Sequence, residues 1–254
     1  MVGVHGAFHQ LWGPNQIKSR WLPALQDGLV HAGTEIEPDD FAVAFYGDVF
    51  RPEVAAGRPD REELMEIARR SGLWDAVEEH YGEGGMDALA EEIGREVLRQ
   101  LLHQLGRYFA DDEIRQLIRS RLRALVTDDT KVIVAHSMGT VVAYEELSAH
   151  PEWGVRTLVT LGSPLGGEFV FPHLDPEPVG GVGGWPGSVA EWTNVVALDD
   201  TVVRETSLAS KFGDGVTDVM IDSGHRAHDA EPYLNARVTG RAISAGLVAR
   251  TNDA

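Results

Sequence analysis

Ser137 lies in a stretch whose residue types and spacing are typical of a nucleophile. Residues 131–135 (Lys-Val-Ile-Val-Ala) predict a buried strand, and residues 138–149 predict a helix that begins directly after the serine. Ala135 and Gly139 are small enough for the tight, strained turn that lifts a serine hydroxyl out of a sheet edge. At a helix N-terminus, backbone N–H groups and the helix dipole favour developing negative charge. The pattern therefore predicts a nucleophile elbow.

The elbow sequence Ala-His-Ser-Met-Gly at 135–139 resembles that of small lipases and esterases of the α/β-hydrolase superfamily. The resemblance covers the N-terminal strand and residues 128–240. It implies a serine hydrolase that cleaves a carboxylic ester through an acyl-enzyme. It also implies a small-molecule ester or acyl substrate and no cofactor.

Two backbone amides are expected to hold the oxyanion of the tetrahedral intermediate. The N–H of Met138, the first residue of the predicted helix, is one candidate donor. Residues 4–8 (Val-His-Gly-Ala-Phe) follow an early strand and are similar to the His-Gly oxyanion loop of the superfamily. By this resemblance the second donor is the N–H of Ala7, with the N–H of Phe8 as the alternative.

The acid of the predicted triad should follow a late strand, because α/β-hydrolases have the chain order nucleophile, acid, histidine. The apolar run at 194–198 predicts such a strand, and it ends at two carboxylates, Asp199 and Asp200. The family pattern of strand, Asp, one residue and Val is matched by Asp200 and Val202. Asp200 is therefore the favoured acid and Asp199 the alternative.

The base should lie between the last strand and the last helix. His225 and His228 both follow the predicted strand at 216–221. His228 directly precedes the predicted helix at 231–248, where acidic residues and a proline suit a first helical turn. The family histidine commonly occupies that position, so His228 is the favoured base and His225 the alternative.

Four residues are expected to line the substrate pocket. Phe8 ends the predicted oxyanion loop and His9 follows it, and Pro164 and Leu165 follow the predicted strand at 155–161. The sequence alone leaves alternative functions open. A thioesterase, peptidase or acyltransferase would use the same triad, and a non-catalytic binding protein can share the fold.

The elements that must position these residues alternate along the chain. Apolar runs predict strands, and helical periodicity predicts helices between them. The strands are predicted at 2–4, 41–46, 131–135, 155–161, 194–198 and 216–221, and the main helices at 16–33, 138–149 and 231–248. This alternation predicts the α/β class, with a mostly parallel central sheet of about six strands flanked by helices. The resemblance specifies the α/β-hydrolase fold.

One domain is expected over 1–254, with 50–126 as a helical insertion. This segment is mostly helical in pattern and either packs on the sheet as extra helices or forms a cap. Residues 172–188 are rich in proline and glycine and predict an irregular loop.

The charge and composition of the chain limit the classes of partner that it is expected to bind. The net charge of −18 disfavours nucleic acid as a partner. No apolar run approaches the roughly 18 residues of a membrane span. The chain has no cysteine, and the spacing of its histidines predicts no metal site.

The N-terminus lacks a secretory pattern, which predicts a cytoplasmic protein. Secretion stays compatible with the sequence if a signal preceded residue 1. The sequence carries no signal for an oligomeric state.

Overall fold

A computed structural model describes residues 1–51, 59–203, 205–224, 226 and 228–248. Within these residues, six parallel strands form one sheet in the order β2-β1-β3-β4-β5-β6. The strands are β1 (Val2–Val4), β2 (Ala42–Ala44), β3 (Val132–His136), β4 (Thr157–Leu161), β5 (Glu191–Ala197) and β6 (Val216–Ile221). The prediction of an α/β chain with a parallel sheet of about six strands is confirmed.

Helices connect the strands and cover the sheet. They are α1 (Pro14–Val30), α2 (Arg61–Arg70), α3 (Leu73–Tyr81), α4 (Gly85–Ile93), α5 (Arg95–Leu101), α6 (Arg107–Ala110), α7 (Asp112–Arg123), α8 (Met138–Ala149), α9 (Ala209–Phe212), α10 (Ala230–Asn235) and α11 (Arg237–Val248). A π-helical turn, Leu102–Gly106, joins α5 to α6. None of the described helices is both long and apolar enough to cross a membrane.

The strand β3 is buried on both sides, which explains its continuous apolar sequence. Val132 and Val134 face an apolar cluster that includes residues of α1, α10 and α11. Ile133 and Ala135 face a second cluster, which includes residues of α7 and α8. Successive side chains of a strand point to opposite faces, so both layers of helices are needed to bury this strand.

The segment between β2 and β3 has two parts. Its C-terminal helix α7 pairs with α8 through three arginines spaced four residues apart and two fully buried glutamates. These residues are Arg115, Arg119 and Arg123 on α7 and Glu145 and Glu146 on α8. A buried carboxylate is costly without a partner, so these ion pairs fix α7 against the sheet layer.

The helices α2–α5 pack around an apolar cluster of their own, which includes Leu64, Leu73 and Leu89. The predicted insertion thus contains helices packed on the sheet layer as well as a smaller unit with a separate core. Residues 52–58 of this insertion lie outside the described residues.

Some element boundaries differ from the predicted ones for identifiable reasons. β2 ends at Ala44 instead of residue 46, because the N–H of Tyr46 donates to the ring of His5 (3.1 Å to Nε2). The predicted helix at 231–248 is two helices, because Ala236 has an extended backbone (φ −62°, ψ 136°). Periodicity alone does not detect a single extended residue between two apolar helical faces.

Candidate active site

Ser137 occupies a sharp turn between β3 and α8, with φ 53° and ψ −130°. The turn brings the backbone of neighbouring strands very close. A Cβ on Gly139 would lie 2.4 Å from the carbonyl oxygen of Val4, and a Cβ on Gly6 would lie 2.7 Å from Cβ of Ser137. Both distances are too short for any side chain, so glycine is required at both positions.

Ser137, His228 and Asp200 form a hydrogen-bonded chain. Nε2 of His228 lies 2.8 Å from Oγ of Ser137, and Nδ1 of His228 lies 2.7 Å from Oδ2 of Asp200. The serine follows β3, the aspartate follows β5 and the histidine lies two residues before α10. The structure therefore brings together the three side chains that the sequence favoured, although 91 residues separate the serine from the histidine.

The carboxylate of Asp200 is buried and accepts several hydrogen bonds. The hydroxyl of Tyr233 donates to Oδ2 (2.6 Å), and the N–H of Val202 donates to Oδ1 (3.0 Å). Burial raises the pKa of Asp200, but the hydrogen bonds from His228, Tyr233 and Val202 outweigh burial and hold the pKa below its ordinary value. Asp200 is therefore an anion that faces the histidine at neutral pH.

Tyr233 is a part of the site that the sequence did not indicate. Its hydroxyl accepts the N–H of Ala197 (3.0 Å) and donates to Asp200, so it joins the end of β5 to the carboxylate. A tyrosine in the first turns of a helix has no local pattern that distinguishes this role from core packing.

The alternative acid, Asp199, has a different environment. Its side chain is exposed, and its Oδ1 accepts a hydrogen bond from the hydroxyl of Ser223 (3.1 Å). The structure brings Asp200, not Asp199, to the histidine ring. The alternative base, His225, lies outside the described residues.

The loop after β1 is held by two histidines. Nε2 of the fully buried His5 accepts the N–H of Tyr46, so the ring proton is on Nδ1 and is donated to the carbonyl oxygen of Gly6 (2.6 Å). Nδ1 of His9 lies 3.2 Å from the same oxygen. The C=O and N–H of one trans peptide point in opposite directions, so the N–H of Ala7 points away from both histidines.

The two candidate donors of this loop differ in their partners. The N–H of Phe8 donates to Oε1 of Gln104 (3.1 Å) and is thus already engaged. Ala7 borders both cavities that adjoin Ser137. Met138 begins α8, and the first N–H groups of a helix have no partner within the helix. The geometry thus favours Met138 and Ala7 over Phe8 as oxyanion donors.

Two cavities of different character meet at Ser137. The larger, about 340 Å³, is bordered by His228 and carries polar side chains together with Trp12 and Trp21. Its arginines, Arg20 and Arg226, form ion pairs with Glu231 (3.1 and 3.0 Å). We refer to this cavity as the polar cavity.

The smaller cavity, about 90 Å³, is lined almost entirely by apolar side chains. They include Leu101, Leu105, Pro164, Val170 and Val202. We refer to it as the apolar cavity. The first two of these residues come from the insertion and the others from loops after the strands, so the insertion forms one wall of the site.

Three of the four predicted pocket residues line these cavities. Phe8 borders both, His9 borders the polar cavity and Pro164 borders the apolar cavity. Contrary to the prediction, Leu165 borders neither of these cavities, because its side chain is fully buried in the core. The turn after β4 causes this: the N–H of Leu165 donates to Oγ of Ser163 (3.2 Å), and the leucine side chain packs inward.

A scan of the chain against models of protein families found no match, and a search of curated proteins also found none. Among the described residues, no group of three or more His, Asp or Glu side chains is arranged to hold a metal ion. The chemistry of the chain must therefore be inferred from its own residues.

Proposed function

We propose that the protein is a serine hydrolase with an α/β-hydrolase fold that cleaves a carboxylic ester through an acyl-enzyme on Ser137. The observation that supports this most directly is the pair of hydrogen bonds from Ser137 to His228 (2.8 Å) and from His228 to Asp200 (2.7 Å). A serine hydroxyl is a weak nucleophile without a base, and this arrangement supplies the base and the group that orients it.

The position of the site in the sheet agrees with this proposal. The chain passes from β1 to β2 on one side and then to β3 on the other side of β1. In open parallel sheets, ligands bind outside the carboxyl ends of the strands at such a change of direction. Ser137 and the loop with Ala7 follow the two strands, β3 and β1, that meet there.

In the proposed mechanism, Oγ of Ser137 attacks the ester carbonyl carbon while Nε2 of His228 accepts the hydroxyl proton. The anionic Asp200 stabilises the resulting imidazolium. The N–H groups of Met138 and Ala7 donate to the oxyanion. Collapse of the intermediate breaks the ester C–O bond, and the departing alcohol takes the proton from His228. Water then cleaves the acyl-enzyme by the same steps.

The two cavities suggest which part of the substrate lies on which side. The leaving alcohol must receive its proton from His228, which borders the polar cavity. The acyl group then occupies the apolar cavity, which also borders Ser137. The proposed substrate is therefore an ester with a compact apolar acyl group and a polar or aromatic alcohol.

Labelling with a fluorophosphonate probe tests the proposal, with turnover of 4-nitrophenyl butanoate measured on the same samples. The wild type should be labelled and active, and Ser137→Ala should lose both properties. Ser19→Ala, which changes an exposed serine on α1, is the matched control and should retain both. A butanoyl thioester and a peptide amide, assayed in parallel, separate ester hydrolysis from the other acyl-transfer chemistries. A wild type that is neither labelled nor active would contradict the proposal.

A further inference from the structure

Gln104 is a buried glutamine whose side chain reaches the loop after β1. It lies on the π-helical turn Leu102–Gly106 of the insertion, and only 1% of it is exposed. Its Oε1 accepts the N–H of Phe8 at 3.1 Å, across 96 residues of sequence. A π-helical turn inserts one extra residue into a helix and is frequent at functional sites. Here that turn brings an insertion side chain into a hydrogen bond with the backbone of this loop.

The residue that receives this hydrogen bond has an unfavourable backbone. Phe8 has φ 68°, a region that residues with large side chains rarely adopt. Such a conformation persists only when its surroundings determine it strongly. The hydrogen bond to Gln104 fixes the peptide between Ala7 and Phe8, and the bonds from His5 and His9 to Gly6 fix the preceding peptide. The N–H of Ala7 belongs to that preceding peptide.

The amide of Gln104 is itself oriented by two other glutamines. Its Nε2 donates to Oε1 of Gln10 (3.2 Å) and to Oε1 of Gln100 (3.4 Å), and Nε2 of Gln10 donates to Oε1 of Gln100 (3.2 Å). We call these three residues the glutamine cluster. Because both donors of the amide are engaged, its oxygen is the atom left to face Phe8.

We infer that Gln104 is a positioning residue: it fixes the peptide after Ala7 while the two histidines fix the peptide before it, so the insertion shares in orienting the Ala7 amide in the oxyanion hole. The inference rests on the proposed function. By this inference, the insertion contributes to the oxyanion hole in addition to lining the apolar cavity. A donor aimed at developing charge acts mainly in the transition state, so its misalignment lowers kcat more than it changes KM.

Two substitutions at one position test this role. Gln104→Met keeps the length of the side chain but removes the acceptor, so the buried N–H of Phe8 loses its partner. Gln104→Glu keeps an oxygen that can accept this N–H. Its second oxygen replaces the donor Nε2, and the side-chain amides of Gln10 and Gln100 can each turn by half a rotation to donate to it. Gln116→Met makes the same chemical change at an exposed glutamine on α7 and serves as the control.

The measurements are kcat and KM for 4-nitrophenyl butanoate, the second-order rate of fluorophosphonate labelling, and thermal unfolding of each variant. We expect Gln104→Met to lower kcat and the labelling rate by about 10- to 100-fold, with KM within about twofold of wild type. Gln104→Glu should restore most of this loss, and Gln116→Met should match the wild type.

Two results would overturn the inference while leaving the proposed function in place. If the wild type is active and Gln104→Met unfolds at a lower temperature but keeps its kcat, then Gln104 has a purely structural role and the proposed function still stands. If Gln104→Glu is as impaired in kcat as a folded Gln104→Met, the acceptor at this position is not what matters. Failure of the wild type to be labelled would instead overturn the proposed function, and this inference with it.

Discussion

The strained backbone of Ser137 is compensated by hydrogen bonds on both sides. Its N–H donates to the carbonyl oxygen of Leu161 on β4 (2.9 Å), and its carbonyl oxygen accepts both the N–H (2.9 Å) and the hydroxyl (2.7 Å) of Thr140. A positive φ at a non-glycine residue costs on the order of 1–3 kcal/mol and survives where the surroundings determine it. The backbone that carries the serine side chain is thus held in one conformation before any substrate binds.

The two adjacent aspartates provide a matched test at the residue scale. Asp200→Asn removes the charge that faces His228 and should lower kcat by about 10⁴-fold, the size of effect known for such a change in serine proteases. Asp199→Asn, one position earlier, changes an exposed carboxylate whose partner is Ser223 and should alter kcat by less than about twofold. Steady-state kinetics of both variants with 4-nitrophenyl butanoate provide the measurement.

Thermal unfolding of the same variants separates loss of the charge from loss of the fold. Tyr233 and the N–H of Val202 donate to different oxygens of Asp200, and asparagine keeps an oxygen for one of them. With that oxygen towards Val202, the NH2 group of asparagine can donate to the Tyr233 hydroxyl, so Asp200→Asn should remain folded. Equal activities for the two variants, with both folded, would count against Asp200 as the acid.

The sheet and the order of the site residues could be predicted from local sequence. Strands buried on both faces need continuous apolar runs, and Val132 to Ala135 form such a run. Parallel strands present their carboxyl ends at one edge, so polar residues directly after the strands come together there. This geometry limits the candidates, and the resemblance to α/β-hydrolases favoured Ser137, Asp200 and His228 among them; the structure brings the three within hydrogen-bonding distance.

Two other tertiary arrangements could not be predicted. Gln104 lies on a helical segment where a glutamine ordinarily faces solvent, and its partner Phe8 is 96 residues away. Leu165 follows a strand just as Pro164 does, but a one-residue difference in a tight turn sends one side chain to the core and the other to the cavity. Hydrophobic periodicity predicts neither outcome, because both depend on which elements pack against each other in the folded chain.

The apolar cavity makes a prediction at the scale of the insertion helices. A cavity of on the order of 150 Å³ holds benzene, so the 90 Å³ observed here suits an acyl chain of about four carbons. Leu105→Ala should enlarge this cavity and shift the preference from butanoyl to hexanoyl or octanoyl esters. The measurement is kcat/KM across a series of 4-nitrophenyl esters of increasing acyl length.

Leu89→Ala is the control for this series, because it makes the same change in the separate core of α2–α5. Both variants lose a buried leucine and should be destabilised by about 2–5 kcal/mol, but only Leu105→Ala should change the chain-length profile. If Leu105→Ala is folded and active but its chain-length profile is unchanged, the apolar cavity does not bind the acyl group.

At the scale of the whole molecule, stability should depend on pH through histidines that are buried without charge. Burial, reinforced by the neighbouring His9, lowers the pKa of His5 from 6.5 to about 3. Burial, together with the nearby His228, also holds the pKa of His136 well below its ordinary value. The unfolded chain binds protons at these side chains below about pH 6.5, whereas the folded chain does not.

Stability should therefore fall as the pH is lowered from 7 towards 4, by up to about 1.4 kcal/mol per pH unit for each such histidine. Urea unfolding at several pH values measures this slope. His5→Gln should reduce the slope by the share of one histidine, because the proton that only the unfolded state binds at residue 5 is then absent. His31→Gln, at an exposed position after α1, should leave the slope unchanged. An identical slope in the wild type and His5→Gln would mean that His5 gains its proton in the folded protein as well, and the buried hydrogen bonds to Gly6 and Tyr46 would then need a different assignment of ring protons.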